Sequence, residues 1–286
     1  MYVDEVQDRI YVGAHAGGMM VLHRKSGYIE YYNRHNSNLP SNNIYSIISD
    51  GYGGLWVASL EYLLHFDIDK RNFTIVDVDG DGHKLQQYNR LLFCDSKKRI
   101  WAGGEMGISV FNQIGTSLLP NTDFQIASVL KQAFVNCFYE TSSGYLWIGT
   151  RNGLFALKES DKQFLQYTTE NGLPSNVIYG ILEDAYGRLW ISTNQGLSCL
   201  NSESGKFRNF TIMDGLQGNQ FNAGAYCRKD NGYMLFGGVN GITSFRPETL
   251  IDNPYAPKPV INKLFVHNKE VLPDDETGIL KESITY

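Results

Sequence analysis

The chain has 286 residues, with 25 Lys and Arg against 30 Asp and Glu and a net charge of −5. It has no basic run, which excludes an electrostatic footprint for nucleic-acid backbones or anionic lipid. Charged residues at 19% and hydrophobic residues at 42% exclude disordered and fibrous classes. The 29 glycines and 13% aromatics point instead to many strands joined by many turns.

The first ten residues, MYVDEVQDRI, carry early acids and no apolar core, so they do not read as a signal peptide. Two expectations stay open: a cytosolic protein, or a piece of a longer exported chain. The longest apolar stretch, Gln125 to Val135, is interrupted by Lys131 and Gln132, well short of the roughly 20 residues a membrane helix needs.

In chain order, one phrase recurs about every 45 residues: RIYVGA around Tyr11, GLWVAS around Trp56, RIWAGG around Trp101, YLWIGT around Trp147, RLWIST around Trp190 and YMLFGG around Leu235. Upstream of the anchors stand β-rich runs, IYSIIS at Ile44, RLLFC at Arg90, VNCFY at Val135, VIYGIL at Val177 and AYCR at Ala225. Turn-makers separate run from anchor. Six residues after the anchors come Gly17, Tyr62, Gly107, Gly153, Gly196 and Gly241, as tight turns with φ > 0 require. Outer strands such as QFLQYT at Gln163 and KFRNFTI at Lys206 follow. Four short antiparallel strands per repeat predict an all-β fold, a β-propeller over residues 1–249. The Trp strand, apolar on both faces, is the strand sandwiched between blades, so the four Trp are core and not a sugar platform. Cys94, Cys137, Cys199 and Cys227 lack zinc or redox spacing and read as single buried thiols in strands.

Beyond the repeats, Pro254, Pro257 and Pro259 mark a linker over 250–259. VINKLFVHNKEV, Val260 to Val271, then reads as one alternating strand opening a truncated further domain over 260–286.

The strings NSNLPSNNIYSIISDGYGGLWVAS (Asn36 to Ser59) and ENGLPSNVIYGILEDAYGRLWISTNQGL (Glu170 to Leu197) resemble the two-component regulator propeller repeat, with the same distance from Leu39 to Trp56 as from Leu173 to Trp190. The last copy, DGLQGNQFNAGAY then FGGVNGITSFRPE, resembles that family's closing repeat, and the tail resembles the start of a Tyr-Tyr-Tyr-type β-sandwich. This arrangement is similar to the periplasmic region of hybrid two-component sensor histidine kinases of Bacteroidetes. The resemblance implies a seven-bladed ring of which six repeats are visible. It also implies an oligosaccharide signal passed through the adjacent propeller and sandwich to a dimeric kinase controlling polysaccharide use. By the same token this chain is expected to be non-enzymatic.

In an up-and-down blade the start of the inner strand and the end of the second strand share one rim. The candidate ligand contacts are the rim residues that break the repeat pattern, Tyr62, Tyr88, Arg90, Glu105 and Arg151, together with the rim amides Asn89, Asn152 and Asn222. Amides, guanidinium groups and aromatic faces suit a neutral or acidic glycan. The asparagines of LPSN and NQG read more simply as turn residues. DVDGDGH places Asp77, Asp79 and Asp81 at calcium-loop spacing, yet Tyr88 stands where a bidentate Glu belongs, so a bare acidic turn is favoured over a calcium site and no cofactor is expected. The six histidines show no metalloprotease spacing and no serine sits in a nucleophile elbow. Glu61 and Glu105 could mimic a glycosidase pair. A glycan-cleaving propeller enzyme is thus one alternative, and a protein-interaction scaffold another.

Overall fold

The computed structural model describes residues 1–59, 62–76, 89–121, 128–158, 163–250 and 263–271. Blade 1 comprises β1 (Tyr2–Asp4), β2 (Arg9–Ala14), β3 (Gly18–His23) and β4 (Ile29–Tyr32). Blade 2 comprises β5 (Ile44–Ser49), β6 (Gly54–Ser59), β7 (Leu63–Asp67) and β8 (Asn72–Ile75). Blade 3 follows with β9 (Asn89–Cys94), β10 (Arg99–Gly104), β11 (Gly107–Ile114) and β12 (Ser117–Pro120). In blade 4 the strands are β13 (Val135–Glu140), β14 (Leu146–Thr150), β15 (Gly153–Lys158) and β16 (Gln163–Tyr167). Blade 5 has β17 (Ile178–Glu183), β18 (Leu189–Thr193), β19 (Gly196–Asn201) and β20 (Lys206–Phe210), and blade 6 has β21 (Phe221–Arg228), β22 (Met234–Gly238) and β23 (Gly241–Phe245). Every sheet is an antiparallel meander in chain order, four-stranded in blades 1 to 5 and three-stranded in blade 6.

The blades pack in series: β2 on β5, β5 on β9, β10 on β13, β13 on β17 and β17 on β21. This is the predicted propeller, with six blades among the described residues. The second strands β6, β14 and β18 are buried at every position, because each lies between two sheets. Each Trp packs into the next blade. Trp56 clusters with Leu92 and Ile100, Trp101 with Val135 and Phe138, and Trp147 with Ile178 and Leu189. The Trp190 ring lies 4.7 Å from that of Phe245. The small residue two places after the anchor is a packing requirement. At Gly149 a Cβ would stand 2.7 Å from Ile178 Cγ2 and closer still to Cys137 Sγ.

A buried carboxylate closes the turn ahead of the Trp strand. Asp184 Oδ1 accepts from the amides of Tyr186 and Arg188, both at 2.9 Å. Its Oδ2 accepts from Arg188 Nε at 2.7 Å and Trp190 Nε1 at 3.0 Å. Asp95 does the same with Lys97, Arg99 and Trp101. In blade 2 His65 takes the second oxygen of Asp50 at 2.7 Å, and Trp56 Nε1 is left without a partner among the described residues. In blade 4 Thr141 replaces the aspartate, and Trp147 Nε1 is likewise unpartnered. Neighbouring blades are clipped just beside these turns. Ser96 donates through its amide and hydroxyl to Glu140, both at 2.7 Å, and Ser142 donates to Glu183, both at 3.0 Å. Arg228 Nη1 continues the series by donating to the Glu183 carbonyl at 2.9 Å.

Three expectations are corrected in detail. The first blade's positive-φ turn glycine is Gly18 (φ 81°), not Gly17, because Ala16 (φ 62°) lengthens that turn. The segment read as a single strand within Val260 to Val271 contains two, β24 (Leu264–Val266) and β25 (Lys269–Val271), since His267 and Asn268 both adopt positive φ and turn the chain back. Cys227 is exposed and Cys94 only half-buried, whereas Cys137 and Cys199 are buried as expected. The face of blade 6 away from blade 5 is uncovered, with Ile242 and Val239 exposed. All four thiols are free. The contacts divide the chain after Pro247, so the β24–β25 hairpin belongs to a second unit, Glu248–Tyr286.

Removing the carboxylate of Asp184 would orphan a buried indole N–H, a guanidinium and two amides. Asp184→Ala is expected to cost about 3 kcal/mol in urea unfolding, against about 1 kcal/mol for Thr141→Ala, whose hydroxyl serves no Trp. Equal losses would overturn this assignment. Gly149→Ala is expected to cost about 1–3 kcal/mol by overpacking, and an unchanged unfolding midpoint would refute the tight seam.

Candidate functional site

The predicted rim exists. Cross-strand pairs Ile44 with Ser59, Val135 with Thr150 and Ile178 with Thr193 place each inner-strand start beside the end of its Trp strand. At this rim every inner strand from blade 2 onward is bulged. The register skips Tyr45 in β5, Arg90 in β9, Asn136 in β13 and Tyr179 in β17, and it shifts between Phe221 and Tyr226 in β21. A bulge leaves one residue out of the ladder and re-aims its side chain, which is why bulges gather at rims and sites. Tyr45, Asn136 and Tyr179 were not singled out from the sequence. The available signal was the broken alternation: in Ile44-Tyr45-Ser46-Ile47, two residues separate buried isoleucines where a regular strand has one.

The bulges bring together a continuous set across blades 1 to 3. The His15 ring lies 6.3 Å from the Tyr45 ring, and the Arg90 guanidinium lies over that same ring at 5.3 Å from its centroid. Arg90 also forms an ion pair with Glu105, on the turn between β10 and β11, with both side chains over a third exposed. In blade 4 the Arg151 guanidinium stacks on Phe134 at 3.7 Å from the ring centroid, and the Arg151 amide donates to the Phe134 carbonyl at 3.0 Å. The two turn strands of that corner are therefore fixed to each other.

The other candidates behave differently. Tyr62 is half-buried and packs against the apolar core shared by blades 1 and 2. Asn152 is exposed and uses its backbone, donating to Thr150 Oγ1 at 2.9 Å and accepting from Gln166 at 3.0 Å. Asn222 is exposed within the wide bulge of β21. Asn89 opens β9 with its backbone, and its side chain lies outside the described residues, as do Tyr88, Glu61 and the calcium candidates Asp77, Asp79 and Asp81. Among the described residues no three His, Cys, Asp or Glu are placed to hold a metal. The LPSN asparagines serve turns, with Asn42 Oδ1 accepting from the Arg34 amide, Asn43 Oδ1 from Ala16 and Asn176 Oδ1 from Thr169.

At the opposite end of the inner strands a cleft of about 610 Å³ lies between blades 2 and 3, bordered by Ser49, Gly51, Cys94, Asp95 and Glu140. Here Gly51 stands where Ser96 and Ser142 make clips, and Gln113 Nε2 donates to the Asp50 carbonyl instead, at 2.5 Å. Burial pushes the Cys94 thiol upward, and it pushes Cys137 to about 12. Neither thiol is therefore a thiolate nucleophile near neutral pH. The rim is the better endowed end chemically. It offers one ion pair able to donate to and accept from hydroxyls, aromatic faces for C–H surfaces, and a guanidinium whose in-plane edge is open.

The two-component regulator propeller repeat matches residues 38–61, 130–152 and 172–195. Over 231 residues, 78% of the chain, the sequence is 28% identical to histidine kinase P4 of Formosa agariphila, of whose length it spans 17%. Among solved structures, the extracellular domain of the hybrid two-component system BT3049 of B. thetaiotaomicron is similar with a TM-score of 0.66 and 19% identity, covering 95% of this chain and 43% of that one. The corresponding domain of BT4673 from the same organism gives 0.68 and 19%, over 85% of this chain and 31% of that one. At such identities the structural likeness speaks for the fold. Three segments of this chain thus match the two-component regulator propeller repeat, and they lie on antiparallel blades of a β-propeller.

Proposed function

We propose that this propeller is the ligand-detecting part of the periplasmic region of a hybrid two-component sensor kinase, and that its signal is an oligosaccharide. The observation that carries this reading is the set His15, Tyr45, Arg90 and Glu105. It spans three blades at the bulged rim, and packing requires none of its polar groups there. An aromatic face beside an ion pair is a suitable surface for a sugar ring, with the ring stacking on Tyr45 and its hydroxyls meeting Arg90 and Glu105. The similarity to a histidine kinase and to extracellular domains of hybrid two-component systems supports the sensor assignment and the periplasmic location. No helix among the described residues is long and apolar enough to cross a membrane.

Glu105 is engaged by Arg90, which favours binding over a glycosidase-like acid at that position. Signalling would follow from different ligand affinities for two arrangements of paired ectodomains, since a ligand shifts an equilibrium only by its differential affinity. The adjacent propeller, the β-sandwich and a second copy of the parent chain are the partners this mechanism needs.

Isothermal titration of the ectodomain carrying this chain against a panel of defined oligosaccharides is expected to show saturable binding to one class with no cleavage of the sugar. Absence of binding across the panel would remove the carbohydrate reading, and turnover would replace it with an enzyme. Tyr45→Ala is expected to weaken that binding about tenfold or more. Its stability should change by less than about 1 kcal/mol, because the bulged residue pairs in no ladder. Unchanged affinity would place the site elsewhere.

A further inference from the structure

The two stacked guanidinium groups of the rim are electrically unlike. Arg90 is neutralised by Glu105. Arg151 is exposed, stacks on Phe134 and has no carboxylate partner among the described residues. Lys131, exposed on the same connection as Phe134, also has no carboxylate partner there. The corner holding both cations is rigidly built. The Arg151 amide is bonded to the Phe134 carbonyl, and the Gly107 turn, at φ 104°, lies so close to the Lys131 carbonyl that a Cβ at Gly107 would collide with it. Glu105, on the same turn as Gly107, is already committed to Arg90 and so does not answer these charges.

An Arg laid flat on an aromatic ring keeps its planar fork of N–H donors free at the edge. The stack also settles much of the side-chain entropy that a bidentate contact would otherwise lose. Such a fork matches a carboxylate or a sulfate far better than a hydroxyl.

Resting on the carbohydrate reading above, we infer that the ligand is an acidic oligosaccharide, with a uronate carboxylate or a sulfate ester held by Arg151 on its Phe134 platform and supported by Lys131. The neutral part of the glycan then lies toward Tyr45, Arg90 and Glu105. Recognition of this kind assigns the two halves of the site separate tasks: blades 1 to 3 read ring shape and hydroxyls, and blade 4 reads charge.

The test uses matched pairs, namely tri- and tetrasaccharides carrying uronate or sulfate, each beside its carboxyl-reduced or desulfated counterpart, titrated into the ectodomain carrying this chain. An acidic member is expected to bind at least about tenfold more tightly than its neutral counterpart, with affinity falling severalfold as salt rises from about 0.05 to 0.5 M. Arg151→Gln should abolish the difference within the pair while leaving the residual neutral affinity, and Arg151→Lys should restore part of it. Equal binding of both members of a pair, or an acid preference untouched by Arg151→Gln, would overturn this inference and leave the carbohydrate reading standing. No binding by any member would overturn both.

Discussion

A blade is a small twisted sheet with two largely apolar faces, and leaving either in water is costly. Much of the architecture follows from the need to sandwich each Trp strand between neighbouring sheets. Strands such as β6, β14 and β18, buried at every position, would be insoluble alone, so the blades can exist only as a stacked series. The stacking also explains the small residue after each anchor. Gly149 has a neighbour's side chain where its own would be.

The buried carboxylates of this seam are the polar groups most fully satisfied there. The buried Asp184 and Asp95 each serve two amides, a guanidinium and an indole, which is what makes a carboxylate tolerable in an apolar setting. Where the repeat departs from that set, the consequence is local and visible. His65 replaces the guanidinium in blade 2 and Thr141 replaces the carboxylate in blade 4, and in both blades the Trp N–H has no partner among the described residues. The Ser–Glu clips also vary from seam to seam: Gly51 stands in the place of Ser96 and Ser142, and there Gln113 of blade 3 donates to the Asp50 carbonyl instead.

The two ends of the inner strands thus have different characters. One end is spent on turn anchors and clips that hold the blades together. The other carries bulges, which release a side chain from the ladder without breaking the sheet. The released positions are the ones the fold does not need. The rim's groups are also unevenly distributed around it, with an aromatic ring and an ion pair on blades 1 to 3 and, on blade 4, a guanidinium stacked on Phe134.

Much of this was legible in the amino-acid string because a repeat writes its packing rule several times over. The Trp period, the turn glycines and the β-rich runs determined strand order, the six visible repeats and the burial of all four Trp, and the rim followed from strand direction alone. Arg90, Glu105 and Arg151 were found as departures from the repeat. Their partnerships were decided only by the tertiary structure, since an ion pair between Arg90 and Glu105 or a stack of Arg151 on Phe134 depends on distances between turns that sequence spacing does not encode. Tyr45 escaped notice because a bulge is a one-residue change in register that shows in the string only as a lapse in alternation. That Tyr62, which breaks the glycine pattern, packs against the core of blades 1 and 2 was likewise decided by the tertiary structure, because a large side chain at a turn can be drawn toward a neighbouring core.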